Sequence, residues 1–548
     1  MRLPIFFYVT ACLVFSFYFA QPFRTPKVAV LMLCLAMLGC QRPKMAPKSW
    51  VILAWALWPI VMPIQPFDPV TALYERGIFF MYVLAACLVW PLGGVARGAI
   101  AEGLGWAGLL VGLYGVAQAA GLDWIAWETP GQANSFFGNA NFSAHFLLLA
   151  WHLGAYQHKP VAMVSCACMG LAIVLSGSRA VLILWVLTLI MTGVLKFGWK
   201  HWPFGLAAVA IVGMGLLFRN DLTAFYHNVT HPERYVSELE RQPDLIADRD
   251  TWFKGKRLSL MSRVALYSNS AFLLAERPLT GIGAGQFRSV YPTVALKGIP
   301  DFHLSDAYRA ASPHQLILES AILFGIPWTC VGMVLLGVLV WRVREDRPYV
   351  LALISQVLLA MVSLNAQNPI IVVTLILLLP SIRKVNKTSA SRWFVLVWLV
   401  PALLVVGLDG WRGFASRQKD WEKVPMFFPE FRAQRAFESG DLPAAWRAQK
   451  RALKRDPFGP ETIFNTGLVA WQIGEGGDAR GYDLAVHAFQ LVQCLSPNYR
   501  PASDRLIEIE NSGYWEAEWP ERIPCDGAVE ERNRWLLAIE SWQPQRVP

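Results

Sequence analysis

The chain has 548 residues, 55% of them hydrophobic and only 16% charged, and its mean hydropathy is +0.37. That balance excludes a soluble globular protein and implies a polytopic membrane protein. The formal net charge of +10 would suit a nucleic-acid partner only if it formed a basic face or a binding motif, and the sequence has neither outside short loops between apolar runs.

Thirteen apolar runs are predicted to span a bilayer, centred in about 3–20, 26–40, 49–65, 77–92, 99–120, 138–156, 160–177, 179–196, 203–218, 314–341, 349–364, 367–382 and 392–409. The run 26–40 is short enough to be re-entrant, which leaves the count at 12 or 13. The first run ends in Phe-Tyr-Phe-Ala followed by Gln21, a poor cleavage site, so it is expected to stay as an anchor rather than leave as a signal peptide.

Charge sets the expected orientation. With Met1 cytoplasmic, alternate short loops hold Arg42, Lys44, Lys48, Arg97, Lys159, Lys196, Lys200, Arg342, Arg344, Arg347, Arg383, Lys384, Lys387 and Arg392, whereas the opposite loops hold little beyond Arg24, Lys27 and Arg76. This topology places three regions on the outer face: 122–137, a large loop of about 219–312, and everything after 410. Seven cysteines (12, 34, 40, 87, 166, 168 and 330) fall in apolar runs as packing groups; Cys494 and Cys525 fall in the outer region, where an oxidising compartment would permit a disulfide.

The organisation divides into a membrane domain, 1–409, and a helical outer domain, 410–548. In the latter, Ala436–Pro457 and Tyr482–Pro497 repeat one plan, a helix with small residues on one face closed by a proline, separated by the turn 474–481. Such pairs resemble tetratricopeptide repeats; two alone bury little, so packing on flanking helices or on the membrane domain is expected. A generic helical cap is the plainer alternative. The large outer loop carries a semi-apolar helical piece over 258–274 and is expected to be partly folded.

Three residues could carry chemistry. His314 follows Ser312-Pro313, a helix-start signal, and the helix N-terminus below it favours neutral imidazole and attracts anions. Arg179 follows Ser176-Gly-Ser178 at the outer face, where an arginine requires a partner or a wet cavity. Arg263 lies on the helical piece of the large loop. Two guanidiniums and a helix terminus would suit a diphosphate, because the guanidinium fork matches phosphate oxygens and stays charged. The plain alternatives are a solvated interfacial histidine, a snorkelling arginine and a salt-bridged arginine. The run Thr280-Gly-Ile-Gly-Ala-Gly-Gln286 lacks the Gly-Lys-Ser/Thr ending of a P-loop, so Gly281, Gly283 and Gly285 are expected to form a tight turn. Gly138-Asn-Ala-Asn-Phe142 reads as a helix start capped by Asn139 or Asn141. No carboxylate pair or His/Cys/Asp cluster has metal spacing; Asp68, Asp123 and Glu128 are the outer carboxylates left to consider.

Four blocks in this order, Phe136–Phe142, Leu175–Ala180, Arg263 with Glu276–Phe287, and His314 with Leu316–Gly325, resemble the signatures of bacterial O-antigen ligases and related polymerases, a family that includes O-oligosaccharyltransferases of pilins. The resemblance covers about 130–330. It implies an all-α, GT-C-like membrane enzyme without metal or cofactor that transfers a glycan from undecaprenyl pyrophosphate to a hydroxyl acceptor at the periplasmic face of the inner membrane. Carried over, Arg179 and Arg263 would bind the pyrophosphate, and His314 would act as base or orient the acceptor. The family usually has Asn after this histidine, where this chain has Gln315. Lipid A core, a growing glycan and a protein hydroxyl all stay open as acceptors. The competing readings are a transporter or flippase of lipid-linked sugars and a repeat-bearing membrane scaffold.

Overall fold

Inside a bilayer a backbone satisfies its N–H and C=O groups only within its own segment or in a closed barrel, so apolar runs of this length fold as helices. The computed structural model describes residues 2–15, 23–39, 58, 69–89, 94–123, 133–153, 162–196, 256–291, 294, 312–361, 368–378, 393–495, 499–511 and 528–542, and no strand occurs among them. The predicted spans 49–65 (Trp58 apart) and 203–218, the loop parts 219–255 and 295–311, and Asp68, Glu128 and Cys525 lie outside the described residues.

The membrane part consists of α1 (Arg2–Leu13), α2 (Thr25–Gly39), α3 (Pro69–Val89), α4 (Gly94–Ala119), α5 (Ala140–Leu153), α6 (Ala162–Leu175), α7 (Arg179–Lys196), α8 (Lys256–Glu276), the single turn α9 (Phe287–Val290), α10 (Leu316–Phe324), α11 (Ile326–Val343), α12 (Arg347–Ala360), α13 (Pro369–Leu377) and α14 (Trp393–Arg417). One of the described helices, over Gly98–Ala119, is long and apolar enough to cross a membrane by itself; Thr25–Leu35, Val164–Leu175, Arg179–Leu189, Ile326–Trp341 and Pro348–Ala360 are shorter apolar helices. The core runs from Tyr8, Val28 and Leu31 through Met81, Leu104 and Phe146 to Met169, Leu353 and Val373. Helix α4 packs on α1, α5 and α6, while α3 packs on α13 and α14.

Arg24 and Lys27, two of the three basic residues that stood against the charge rule, each hold a defined contact. Arg24 forms a two-pronged ion pair with Glu75 of α3, at 2.6 and 2.9 Å. Lys27 is buried and donates to the Cys12 and Val14 carbonyls at 2.9 and 2.8 Å, closing the C-terminal end of α1, with its ammonium 4.8 Å from the Phe137 ring centre. Arg76 is buried on α3. Beside them Thr25 donates to Asp409 of α14 at 2.6 Å, and Arg412 donates to Thr71 at 3.2 Å.

One predicted span is built differently. The run 314–341 was expected as one helix, but it starts at Leu316 and breaks at Gly325, whose φ of 91° and ψ of 158° leave helical space. The break has a tertiary cause. A Cβ on Gly325 would overlap the Leu279 carbonyl, and the Ile326 N–H, freed by the break, donates to the Pro278 carbonyl at 2.8 Å. Helix α10 thereby joins α8 rather than continuing α11: Leu266 and Leu273 of α8, Phe287, Tyr291 and Ile322 share one cluster, with Leu318 and Leu323 packed against it.

Beyond α14, which runs unbroken through the composition change at Asp409, the C-terminal region is helical: α15 (Pro429–Glu438), α16 (Leu442–Arg455), α17 (Pro460–Glu475), α18 (Arg480–Leu495), α19 (Arg500–Asn511) and α20 (Ala528–Ser541). Pairs α15/α16 and α17/α18 pack within themselves, and α16 packs on α17. The two sequence echoes are the second helices of these pairs. Asp441 caps α16 by accepting the Ala444 N–H at 2.9 Å, and Ala444, Ala445, Ala448 and Ala452 give α16 a small face for close packing. As expected of so short an array, flanking elements complete the core: Trp535 and Trp542 of the α20 region enter it, Trp542 packing edge-on against Trp446 with 4.7 Å between ring centres. Ala415, Val424 and Phe428 pack with Val70 of α3, docking this region onto the membrane part. Cys494 is disulfide-bonded.

Candidate active site

The glycine run forms the turn expected of it, with φ of 70°, 98° and 72° at Gly281, Gly283 and Gly285, and that turn is a clamp. The Ile282 and Gly283 N–H groups donate to the Ile322 and Leu323 carbonyls at 2.8 and 2.9 Å, satisfying the C-terminal end of α10. Gly281 lies so close that a Cβ would sit 2.5 Å from the Leu323 carbonyl, and Gly285 packs over Ala72 at the start of α3. Trp58 donates its indole N–H to the Phe324 carbonyl at 3.1 Å, and Phe79, Phe324 and Trp328 pack as an aromatic group beneath the break. One end of α10 is therefore fixed from several sides.

His314 stands at the other end. The helix starts two residues after it, capped by Gln315, whose side-chain oxygen accepts the Leu318 N–H. Gln315 thus performs the capping that asparagine does more commonly, so the departure from the family pattern leaves the helix start intact. His314 has φ of 57°, the left-handed region, and is one of two non-glycine residues of positive φ among the described residues. Such backbone strain persists only where surrounding contacts hold it. Here the His314 N–H donates to Ser312 Oγ at 3.1 Å, and Ser312 Oγ, fully buried, donates to Glu319 Oε2 at 2.8 Å.

Arg263 lies on α8 one turn before Leu266, which shares the cluster of α8 and α10. Just beyond α8 the Pro278 carbonyl accepts the Ile326 N–H just beyond α10, so the C-terminal ends of the two packed helices adjoin. Burial lowers its guanidinium below the usual value while the Tyr267 phenol opposes the shift; an arginine stays charged under either influence. Arg179 is the first residue of α7, after a turn in which Ser176 Oγ accepts the Ser178 N–H at 3.2 Å and Gly177 has φ of 67°. Helix α7 packs on α12, and the far end of α12, Met361, is touched by the Gln315 side chain at 3.9 Å. Arg263 thus lies on α8 and His314 just before α10, two helices that share one cluster, while Arg179 begins α7, which packs on α12.

Of the three carboxylates left to consider, Asp123 accepts from Tyr114 Oη at 2.8 Å and Gln118 at 3.0 Å. Among the described residues no three His, Cys, Asp or Glu side chains converge as a metal site. Asn139 rather than Asn141 caps α5, accepting the Asn141 N–H at 2.9 Å. Sequence reading named Ser312 only as part of a helix-start signal and passed over Glu319 and the capping role of Gln315; a hydroxyl and a carboxylate flanking a helix start were the available signal.

A family model described as O-antigen ligase matches residues 164–330, a span that runs from α6 into α11 and holds Arg179, Arg263, the glycine clamp and His314. A search of curated proteins finds no match. Over that segment the chain is similar to the O-antigen ligase family.

Proposed function

We propose that the protein transfers a glycan from undecaprenyl pyrophosphate to a hydroxyl acceptor at the outer face of the inner membrane. The observation that supports this reading is that α8, which bears Arg263, and α10, which begins just after His314, share one hydrophobic cluster within the span matched by the O-antigen ligase family model. Polyprenyl diphosphate is already an activated leaving group. The acceptor oxygen bonds to the anomeric carbon, the bond from that carbon to the diphosphate oxygen breaks, and the acceptor's proton goes to the His314 imidazole. Arg179, Arg263 and the N-terminal dipole of α10 stabilise the charge gathering on the departing diphosphate. The outer helical domain, resembling a short tetratricopeptide array, docks beside α3 and suits a large acceptor. The Cys494 disulfide supports an oxidising compartment for it.

The test is a set of substitutions in full-length protein whose membrane content matches wild type. His314→Ala should slow transfer by about two to four orders of magnitude with donor binding kept. Arg179→Ala and Arg263→Ala should weaken donor binding as well, and lysine should restore them poorly because it lacks the planar fork. Near-normal transfer by a folded His314→Ala protein would return this residue to the role of a solvated interfacial histidine.

A further inference from the structure

The polarity of the contacts around Ser312 is fixed by chemistry. An ionised carboxylate only accepts, so the Ser312 hydroxyl proton points to Glu319 Oε2, and the hydroxyl's lone pairs face the other way, where the His314 N–H donates to them. Glu319 therefore orients a fully buried hydroxyl, and that hydroxyl holds the backbone of a residue in a conformation side chains avoid. Glu319 itself is fixed because its own N–H donates to the Gln315 carbonyl at 2.8 Å, the first backbone bond of α10. The chain from a rigid helical residue to the strained histidine is thus two hydrogen bonds long.

We propose that Glu319 is a positioning residue for His314, acting through the Ser312 hydroxyl to hold the imidazole at the mouth of α10 in its reactive placement. The proposal rests on the reading of His314 as the proton acceptor. Released from Ser312, His314 would relax toward negative φ, and the placement of its side chain would change with the backbone; a displacement on the scale of about 1 Å at a reacting group costs about 100-fold in rate. What Glu319 supplies is an acceptor of fixed position. Its negative charge is not the operative property, and this separates the proposal from a general helix-dipole effect or from Glu319 serving as base.

The experiment uses full-length protein in detergent with a polyprenyl-diphosphate glycan as donor, and measures kcat, donor KM and thermal unfolding. Glu319→Leu, which removes the acceptor, should lower kcat by about 10- to 100-fold with donor KM nearly unchanged. Glu319→Gln keeps a carbonyl acceptor without the charge and should recover to within about threefold of wild type. Ser312→Ala should match Glu319→Leu, and the double variant should be no slower than the worse single one, since both break one relay. Equal damage from Gln and Leu would show that the charge matters and overturn the relay. So would a kcat loss that tracks lost thermal stability in all variants. A wild-type rate for Glu319→Leu beside a dead His314→Ala would refute the positioning role alone, whereas a normal rate for His314→Ala would remove the base reading and this proposal with it.

Discussion

Replacing Gly281 by alanine tests whether the glycine clamp holds α10. The backbone there has φ of 70°, which costs an alanine about 1–2 kcal/mol. The added Cβ would lie 2.5 Å from the carbonyl carbon and oxygen of Leu323, whereas carbon atoms rest at about 3.5–4.0 Å. Both sides of that contact are backbone, so relief requires the clamp to move away by about 1 Å. The bonds from Ile282 to Ile322 and from Gly283 to Leu323 would then stretch or break, at about 1 kcal/mol each. Together these give about 3–4 kcal/mol of local destabilisation. Hydrogen exchange by mass spectrometry on 278–286 and 316–326 should accelerate by about two orders of magnitude or reach the unprotected rate, and transfer should fall, because α10 carries His314 at its other end. Gly121→Ala is the control: its φ is 79°, but no heavy atom lies within 4 Å of the new Cβ, so it bears only the conformational term. If exchange near Gly281→Ala accelerates no more than exchange near Gly121→Ala, the clamp does not hold the helix and the reasoning fails.

Lys27→Met should lower the thermal midpoint of the detergent-solubilised protein, by about 2–4 kcal/mol in stability, because the Cys12 and Val14 carbonyls lose their donor in a buried setting; an unchanged midpoint would mean another group closes α1. Burial holds the His487 imidazole below its ordinary value of 6.5 against the opposing pull of Glu531, so below that pH the unfolded chain binds a proton that the folded one does not. Stability from this group is complete above pH 6.5 and is lost as pH falls toward the folded value; exchange protection of 480–495 should drop between pH 7 and 5 and drop less in His487→Gln. Transfer should persist in a chelator, since the two arginines and a helix terminus neutralise the leaving group; activity that vanished with EDTA and returned with a divalent ion would turn attention to Asp68, Asp123 or Glu128. A reporter fused after Asp420 should be active only if it folds outside the cytoplasm, and a cytoplasmic signal would invert the topology.

By itself the sequence determined the class of molecule and the material of its site. Apolar runs with polar gaps prescribe membrane helices because the bilayer offers the backbone no other partner. Three of the four short blocks, from Leu175 to Gly325, fall in the segment that the O-antigen ligase family model matches, and Phe136–Phe142 lies before it. The glycine run was legible as a turn because only glycine accepts those φ values without strain. What only the tertiary structure decided are the relations between distant segments. Within 314–341 Gly325 and Pro327 are helix-end signals, but that the chain breaks fully there is decided by the backbone of Leu279, brought against Gly325 from elsewhere in the chain. Arg24 and Lys27 read as exceptions to a charge rule until Glu75 and the end of α1 were placed beside them. A helix such as α10, apolar on nearly every side, carries no stripe to say which face packs on which neighbour, so its pairing with α8 arises only when the helices are packed.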